Sequence, residues 1–150
     1  MIKKDGPLIN VDSLREQIIK NSVRIIDVRR TEDYQQGHIT NSVNLPLAKL
    51  LADASPENIV KIAEELGIGN ETPVVVYDDT FGALSSRVVW ALQYIGHENV
   101  KLLDVSKGLP TDLTVNDAKT VLPLPPTIAL VICTLSPTSY PVPLLIIKRF

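Results

Sequence analysis

The fold of this chain is decided by Pro73-Val74-Val75-Val76-Tyr77-Asp78-Asp79. The β-branched and aromatic run Val74–Tyr77 predicts a strand, and its unbroken apolar character is typical of a strand that helices cover on both faces of a parallel sheet. The charged pair that follows predicts the end of the strand. Ligands of such sheets bind at the carboxyl ends of strands, so the loop of residues 78–83 is the place where we expect chemistry.

Helical and strand patterns alternate on either side of this strand. Ser55-Pro56-Glu57 places a capping hydroxyl, a proline and an acid at the start of an apolar helical pattern, and Gly67 supplies its stop. Residues 84–95 predict a second helix, which Gly96 ends. Strands are predicted at residues 23–28 and 100–103.

An earlier, shorter helix is predicted over residues 13–20. Ser13 and Glu16 have the spacing of a capping box, in which the hydroxyl accepts from the Glu16 amide. The resulting order of helix and strand, three times over with short connections, predicts an α/β fold. We expect a mostly parallel central sheet with helices on both faces, formed by residues 1–104.

The last part of the chain, residues 105–150, has a different character. Seven of the eleven prolines lie between Pro110 and Pro143, and no apolar periodicity persists long enough to predict a helix. We therefore expect this atypical, proline-rich apolar segment to pack poorly and to carry little regular structure. Its apolar run 127–135 is about half the ~20 residues that a membrane-spanning helix needs, so no membrane span is predicted.

Composition narrows the classes of partner and cofactor. A chain of 150 residues with 45% hydrophobic residues can bury one core, and a net charge of -2 with interspersed signs predicts no nucleic-acid partner. The single cysteine, Cys133, excludes an intrachain disulfide and a cysteine-based metal cluster within one chain. No cofactor or metal site is predicted. Lys3 and Lys4 precede no apolar run of the secretory kind, so we expect a cytoplasmic protein.

Three ordered stretches within residues 8–104 resemble the rhodanese (sulfurtransferase) family. The third looks most like the N-terminal, non-catalytic domain of tandem thiosulfate and 3-mercaptopyruvate sulfurtransferases. The stretches are residues 25–29, residues 33–39 with 42–46, and residues 74–78 with Arg87, Trp90, residues 96–100 and Leu103-Asp104.

The resemblance implies a loop cysteine directly after Tyr77, which takes a sulfane sulfur from a donor such as thiosulfate and holds it as a persulfide. In this chain that position is Asp78, and a carboxylate is a poor nucleophile for sulfane sulfur. Asp78 and Asp79 are expected to occupy the loop's anion cradle or to repel an anion from it. The equivalents of the active-site loop are Asp78, Asp79, Thr80, Phe81, Gly82 and Ala83.

A second group of motif residues is expected to be structural. An ion pair between Arg29 and Asp33 would fix the loop after the second predicted strand, and His38 would tie down a backbone carbonyl. Ligand binding by these residues is the alternative. The group comprises Asp27, Arg29, Asp33, Gly37 and His38.

The predicted helix after the loop carries several polar candidates. Arg87 is expected to pair with Asp78 or Asp79, the alternative being that it faces a partner domain. Ser85 and Ser86 do not match a hydrolase elbow, so local hydrogen bonds are expected.

Two further side chains on or after this helix are expected to be structural. Trp90 is predicted to belong to the apolar core. His97, just past the Gly96 stop, is predicted to cap helix carbonyls.

Three functional hypotheses follow from the residues and the resemblance. The first is a catalytically inactive rhodanese-like domain, either the non-catalytic half of a tandem sulfurtransferase or a separate binding module. The second is an active thiosulfate or 3-mercaptopyruvate sulfurtransferase whose cysteine lies in a partner domain or chain, such as a second, catalytic rhodanese domain. The third is an interaction module that uses the apolar segment 105–150 as its contact surface.

Overall fold

A computed structural model of the protein describes residues 6–116. The hypotheses that concern Cys133 and residues 117–150 lie outside this part of the chain. The helices of the described part are α1 Val11–Ile19, α2 Thr31–Gln36, α3 Leu47–Ala52, α4 Pro56–Glu65, α5 Ser85–Tyr94 and a 3-10 helix Thr111–Leu113. Its strands are β1 Leu8–Ile9, β2 Arg24–Asp27, β3 His38–Ile39, β4 Ser42–Asn44, β5 Val74–Tyr77, β6 Val100–Leu103 and β7 Thr114–Val115.

The central sheet has five strands in the order β1-β6-β5-β2-β4, and every neighbouring pair is parallel. The predicted central strand β5 lies in the middle, between β2 and β6. Because its successive side chains point to opposite faces, Val74 and Val76 enter one apolar core while Val75 and Tyr77 enter the other. The predicted α/β architecture with helices on both faces is therefore confirmed.

Local capping explains where α4 begins and where α4 and α5 end. The Ser55 hydroxyl accepts the Asn58 N–H at 3.4 Å at the start of α4, as predicted. Gly67 and Gly96 follow the two helices with φ of +70° and +93°, a conformation that glycine adopts without a Cβ penalty.

The predicted capping box at Ser13 is wrong. Helix α1 begins at Val11, and its cap is Asn10, whose side-chain oxygen accepts the Ser13 N–H at 2.8 Å. Asparagine caps a helix at least as well as serine, and the earlier start brings Val11 and Leu14 onto the same apolar core.

The predicted domain boundary after Asp104 is also wrong. Val105 is buried, and Leu109 and Leu113 pack against the core on the α1 side of the sheet. Strand β7 then pairs antiparallel with β3, so the domain continues at least to Asn116. The poor packing expected after Val105 does not hold for residues 105–116, because tertiary pairing supplies the order that local propensity lacks.

The predicted core position of Trp90 is wrong as well. Its side chain is 59% exposed and stacks on Tyr94, with ring centroids 5.3 Å apart. The buried face of α5 is formed by Val88, Leu92 and their neighbours at helical spacing, which leaves position 90 on the opposite face.

Candidate functional site

The loop between β5 and α5 is organised around the carboxylate of Asp78, which is 1% exposed. Its Oδ1 accepts the N–H groups of Thr80 at 2.9 Å and Gly82 at 2.8 Å. Its Oδ2 accepts the N–H groups of Leu84 and Ser85, both at 2.8 Å, and the Ser85 hydroxyl at 3.1 Å. The amides of the loop thus form a closed cradle, and the Asp78 side chain fills it.

Two left-handed residues turn the amides of this loop inward. Phe81 has a φ of +54° and Gly82 a φ of +88°. A Cβ at Gly82 would find its nearest neighbour, the Ser85 Oγ, at 3.9 Å, so glycine is required there by backbone conformation and not by space.

The electrostatics of the cradle favour the ionised carboxylate. Burial pushes the pKa of Asp78 upward, but the backbone hydrogen bonds from Ser85, Gly82, Leu84 and Thr80 outweigh burial and leave the pKa lowered. The positive end of α5 acts in the same direction. The cradle therefore already contains one negative charge, which opposes the entry of a second anion.

The outer residues of the loop face solvent. Asp79, Thr80 and Ala83 are exposed, and Phe81 is 80% exposed. Beside Phe81 a depression of about 190 Å³ extends to Leu8 on the edge strand. It is smaller than the several hundred Å³ that small-molecule pockets usually enclose.

The predicted pairing of Arg87 with Asp78 or Asp79 is wrong. Both oxygens of Asp78 are taken by amides, Arg87 is exposed, and among the ion pairs formed within residues 6–116 none includes Arg87. The serines form local hydrogen bonds, as predicted: Ser85 to Asp78, and the Ser86 hydroxyl to the Ala83 carbonyl at 3.4 Å.

A second buried polar cluster lies at the same edge of the sheet, where β2 ends. Arg29 donates to Asp27 through Nη2 at 2.7 Å, with Nε at 3.1 Å from both carboxylate oxygens, and Nη2 also donates to the Gly37 carbonyl. The predicted Arg29–Asp33 pair is wrong, because Asp33 pairs with Arg30 at 3.0 Å. Asp27 is fully buried and would lack a counter-ion without Arg29.

His38 and Gly37 shape the turn before β3. The His38 Nδ1 lies 2.9 Å from the Tyr34 carbonyl oxygen, and the imidazole stacks on the Tyr34 ring, so it ties down a carbonyl as predicted. A Cβ at Gly37 would approach Asn116 Oδ1 to 3.0 Å and Thr114 Cγ2 to 3.2 Å. Glycine at this position therefore lets β7 approach β3.

His97 is buried just after the C-terminal end of α5, at the other end of this helix from the loop of residues 78–83. Its backbone N–H, and not its imidazole, donates to a helix carbonyl, that of Leu92 at 2.9 Å. Burial lowers the pKa of the imidazole, and backbone hydrogen bonds with Thr72 and Asn99 oppose that effect only in part.

One partner in the polar clusters was missed from the sequence. Tyr77 donates a hydrogen bond to Asp27. The available signal was a lone tyrosine closing a valine strand, since a buried phenol requires a hydrogen-bond partner.

Among residues 6–116 no group of three or more His, Cys, Asp or Glu side chains is arranged to hold a metal ion. No helix there is long and apolar enough to cross a bilayer.

Comparison with known proteins gives consistent results. A family model described as "Rhodanese-like domain" matches residues 10–106. The chain is 30% identical over 106 residues to "Sulfur carrier protein TtuD" of Thermus thermophilus, covering 65% of this chain and 36% of that protein. It is 35% identical over 106 residues to "Putative thiosulfate sulfurtransferase SseB" of Mycobacterium tuberculosis, covering 59% and 37%. The chain thus spans little more than a third of the length of these relatives.

Solved structures share the fold. The crystal structure of the 3-mercaptopyruvate sulfurtransferase SseA from Escherichia coli matches with a TM-score of 0.57 and 25% identity, over 65% of this chain and 39% of that one. The human single-domain sulfurtransferase TSTD1 matches with a TM-score of 0.54 over 66% of this chain and 89% of that one. Its 18% identity supports the fold alone.

Proposed function

This chain belongs to the rhodanese-like family, and from that premise we propose that it is a sulfurtransferase-type domain that does not transfer sulfur by itself. The observation that carries the proposal is the Asp78 carboxylate, which accepts four backbone N–H groups and one hydroxyl within the loop. The N–H groups of the loop already bind an anion, and that anion is the chain's own Asp78 carboxylate.

The chemistry of sulfur transfer explains why this arrangement is inactive. A thiolate attacks the outer sulfur of thiosulfate, the sulfur–sulfur bond breaks, and sulfite leaves while an enzyme persulfide forms. Cyanide then takes the sulfane sulfur as thiocyanate and restores the thiolate. A carboxylate cannot hold the persulfide, and the ionised Asp78 repels the dianionic donor.

The role that fits such a domain is the non-catalytic half of a larger sulfurtransferase. The chain spans 36% and 37% of two curated relatives, which leaves room in those proteins for a second domain. A catalytic rhodanese domain, in the same or another chain, would then supply the persulfide cysteine. Thiosulfate or 3-mercaptopyruvate is the donor class that we expect for the assembly, and the cytoplasm its location.

A thiosulfate:cyanide assay on the full chain tests the proposal. We expect no thiocyanate above the uncatalysed rate from the parent protein. We expect weak turnover at best from Asp78→Cys, assayed in a Cys133→Ser background so that the new thiol is the only one. Asp79 still opposes the thiolate in that variant.

The matched control is Asp79→Cys in the same background, because position 79 is exposed and outside the cradle. It should stay inactive. Turnover by the parent chain that disappears in Cys133→Ser would contradict the proposal, because it would show an intrinsic persulfide cysteine.

A further inference from the structure

Helix α5 carries an exposed aromatic stripe on the face that points away from the sheet. The stripe consists of Arg87, Trp90 and Tyr94, whose spacing of three and four residues places them along one side of the helix. Trp90 is 59% exposed and Tyr94 43% exposed, with their rings stacked on each other. Large aromatic side chains aligned in this way on a surface indicate a contact site.

The α5 stripe carries a single charge, and that charge lies at one of its ends. Arg87 is the only charged residue of α5, and it occupies the first turn, where the helix dipole disfavours a cation. Among the ion pairs within residues 6–116, none involves Arg87. The stripe therefore presents a cation at one end and two aromatic rings at the other, with no acid between them.

We propose that the α5 stripe is the contact surface of a two-fold homodimer in which the α5 helices of two copies pack antiparallel. In that arrangement Arg87 lies opposite Tyr94 of the partner subunit, so a guanidinium meets an aromatic face at each end. Trp90 meets Trp90 of the partner subunit at the centre. The surface is complementary to itself, as a two-fold contact requires.

The alternative orientation of two copies is disfavoured by charge. Parallel helices would place Arg87 against Arg87 of the partner subunit, and no acid of α5 could compensate the repulsion. Antiparallel packing also puts the two loops of residues 78–83 at opposite ends of the contact, because each loop leads into the start of its own α5. The dimer thus leaves both loops accessible, independently of the proposed function.

Trp90 is the only tryptophan of the chain, so its fluorescence reports this surface directly. The experiment follows the emission maximum and acrylamide quenching of the full chain over a wide dilution series, with the molar mass from sedimentation. We expect a dimer at high concentration, with a blue-shifted and shielded Trp90, and a monomer with exposed Trp90 on dilution.

Arg87→Glu is the decisive variant. It should weaken dimerisation by about tenfold or more, because two cation–π contacts are lost. An acid in the first turn suits the helix dipole, so we expect the helix to stay folded in this variant, and circular dichroism checks this. The control Lys61→Glu makes the same change of charge on the exposed side of α4 and should leave dimerisation unchanged.

Three outcomes would overturn the proposal. A monomer whose Trp90 is exposed at every concentration has no such contact. A monomer whose Trp90 is shielded at every concentration has the stripe covered by another part of its own chain. A dimer that Arg87→Glu weakens no more than Lys61→Glu does uses a different surface.

Discussion

Tyr77 donates a hydrogen bond to Asp27 over 2.5 Å from Oη to Oδ2, and both residues are fully buried. The two residues close neighbouring strands in register, Asp27 on β2 and Tyr77 on β5. Burial raises the pKa of Tyr77, and the negative charge of Asp27 and the hydrogen bond to it raise the pKa further, so the phenol remains a donor. Arg29 supplies the counter-ion. This contact fixes the carboxyl edge of the sheet beneath the loop.

Tyr77→Phe should lower the free energy of unfolding by about 1.5 to 3 kcal/mol, because it removes a hydrogen bond to a buried charge. It also leaves the Ile39 N–H, which donates to the phenol at 3.0 Å, without its acceptor. Urea unfolding measures the loss. The control is Tyr34→Phe, which removes a bond to the neutral Ser42 carbonyl and should cost about 0.5 to 1.5 kcal/mol. Equal losses would mean that the charge of Asp27 adds nothing.

The long elements of the fold were predictable because their signals are local. Caps, stops and β-branched runs lie within a few residues of each other in α4, β5 and α5. The two-residue strands β1, β3 and β7 have no such signal, since each exists only through pairing with a distant strand. The order of residues 105–116 was missed for the same reason.

The location of the candidate site was predictable, but its internal geometry was not. A charged residue directly after a central parallel strand places Asp78 at the carboxyl edge. The five donors to Asp78 depend on the left-handed backbone at Phe81 and Gly82, which the sequence does not specify for phenylalanine. The partner of Arg29 could not be chosen from spacing, because Asp27 and Asp33 are both near it in sequence.

Asp78→Asn should destabilise the protein by about 1 to 3 kcal/mol. The amide keeps one acceptor oxygen, but its NH₂ group would point donors at N–H groups that now donate to the carboxylate. The matched control, Asp79→Asn, changes an exposed side chain and should stay within about 0.5 kcal/mol of the parent. Denaturant unfolding of the three proteins measures these differences. An Asp78→Asn variant as stable as the parent would show that the cradle does not depend on the charge.

Gly82→Ala tests the backbone of the loop. The φ of +88° should cost alanine about 1 to 2 kcal/mol, while its Cβ finds room. Gly108 is a matched control, since it has a φ of +84° and no atom within 4 Å of a Cβ, but lies outside the loop. We expect Gly82→Ala and Gly108→Ala to lose similar stability in thermal unfolding. A much larger loss at Gly82 would indicate that the loop lacks the space that the structure gives it.

The free energy of unfolding should fall at low pH in part because Asp78 becomes protonated. Its pKa in the folded protein is lowered, so between that value and the unfolded value of about 3.9 the unfolded chain binds more protons than the folded one. The stabilisation is therefore fully present above about pH 4 and is lost as the pH falls through the folded pKa. The pKa values of Asp53 and Asp104 are also lowered by local hydrogen bonds, and the pKa of Asp112 is lowered by its hydrogen bond with Arg15. Those residues are common to the parent and Asp78→Asn.

The difference in unfolding free energy between the parent and Asp78→Asn isolates the Asp78 contribution, because the shared carboxylates cancel. Measured by urea unfolding from about pH 6 down to about pH 2, this difference should be constant above about pH 4 and should shrink below it. A difference that stays constant to the lowest pH, or grows, would mean that the folded protein does not prefer ionised Asp78. The amides of residues 80–85 would then not be acting as an anion cradle, and the physical basis of the proposed inactivity would fail.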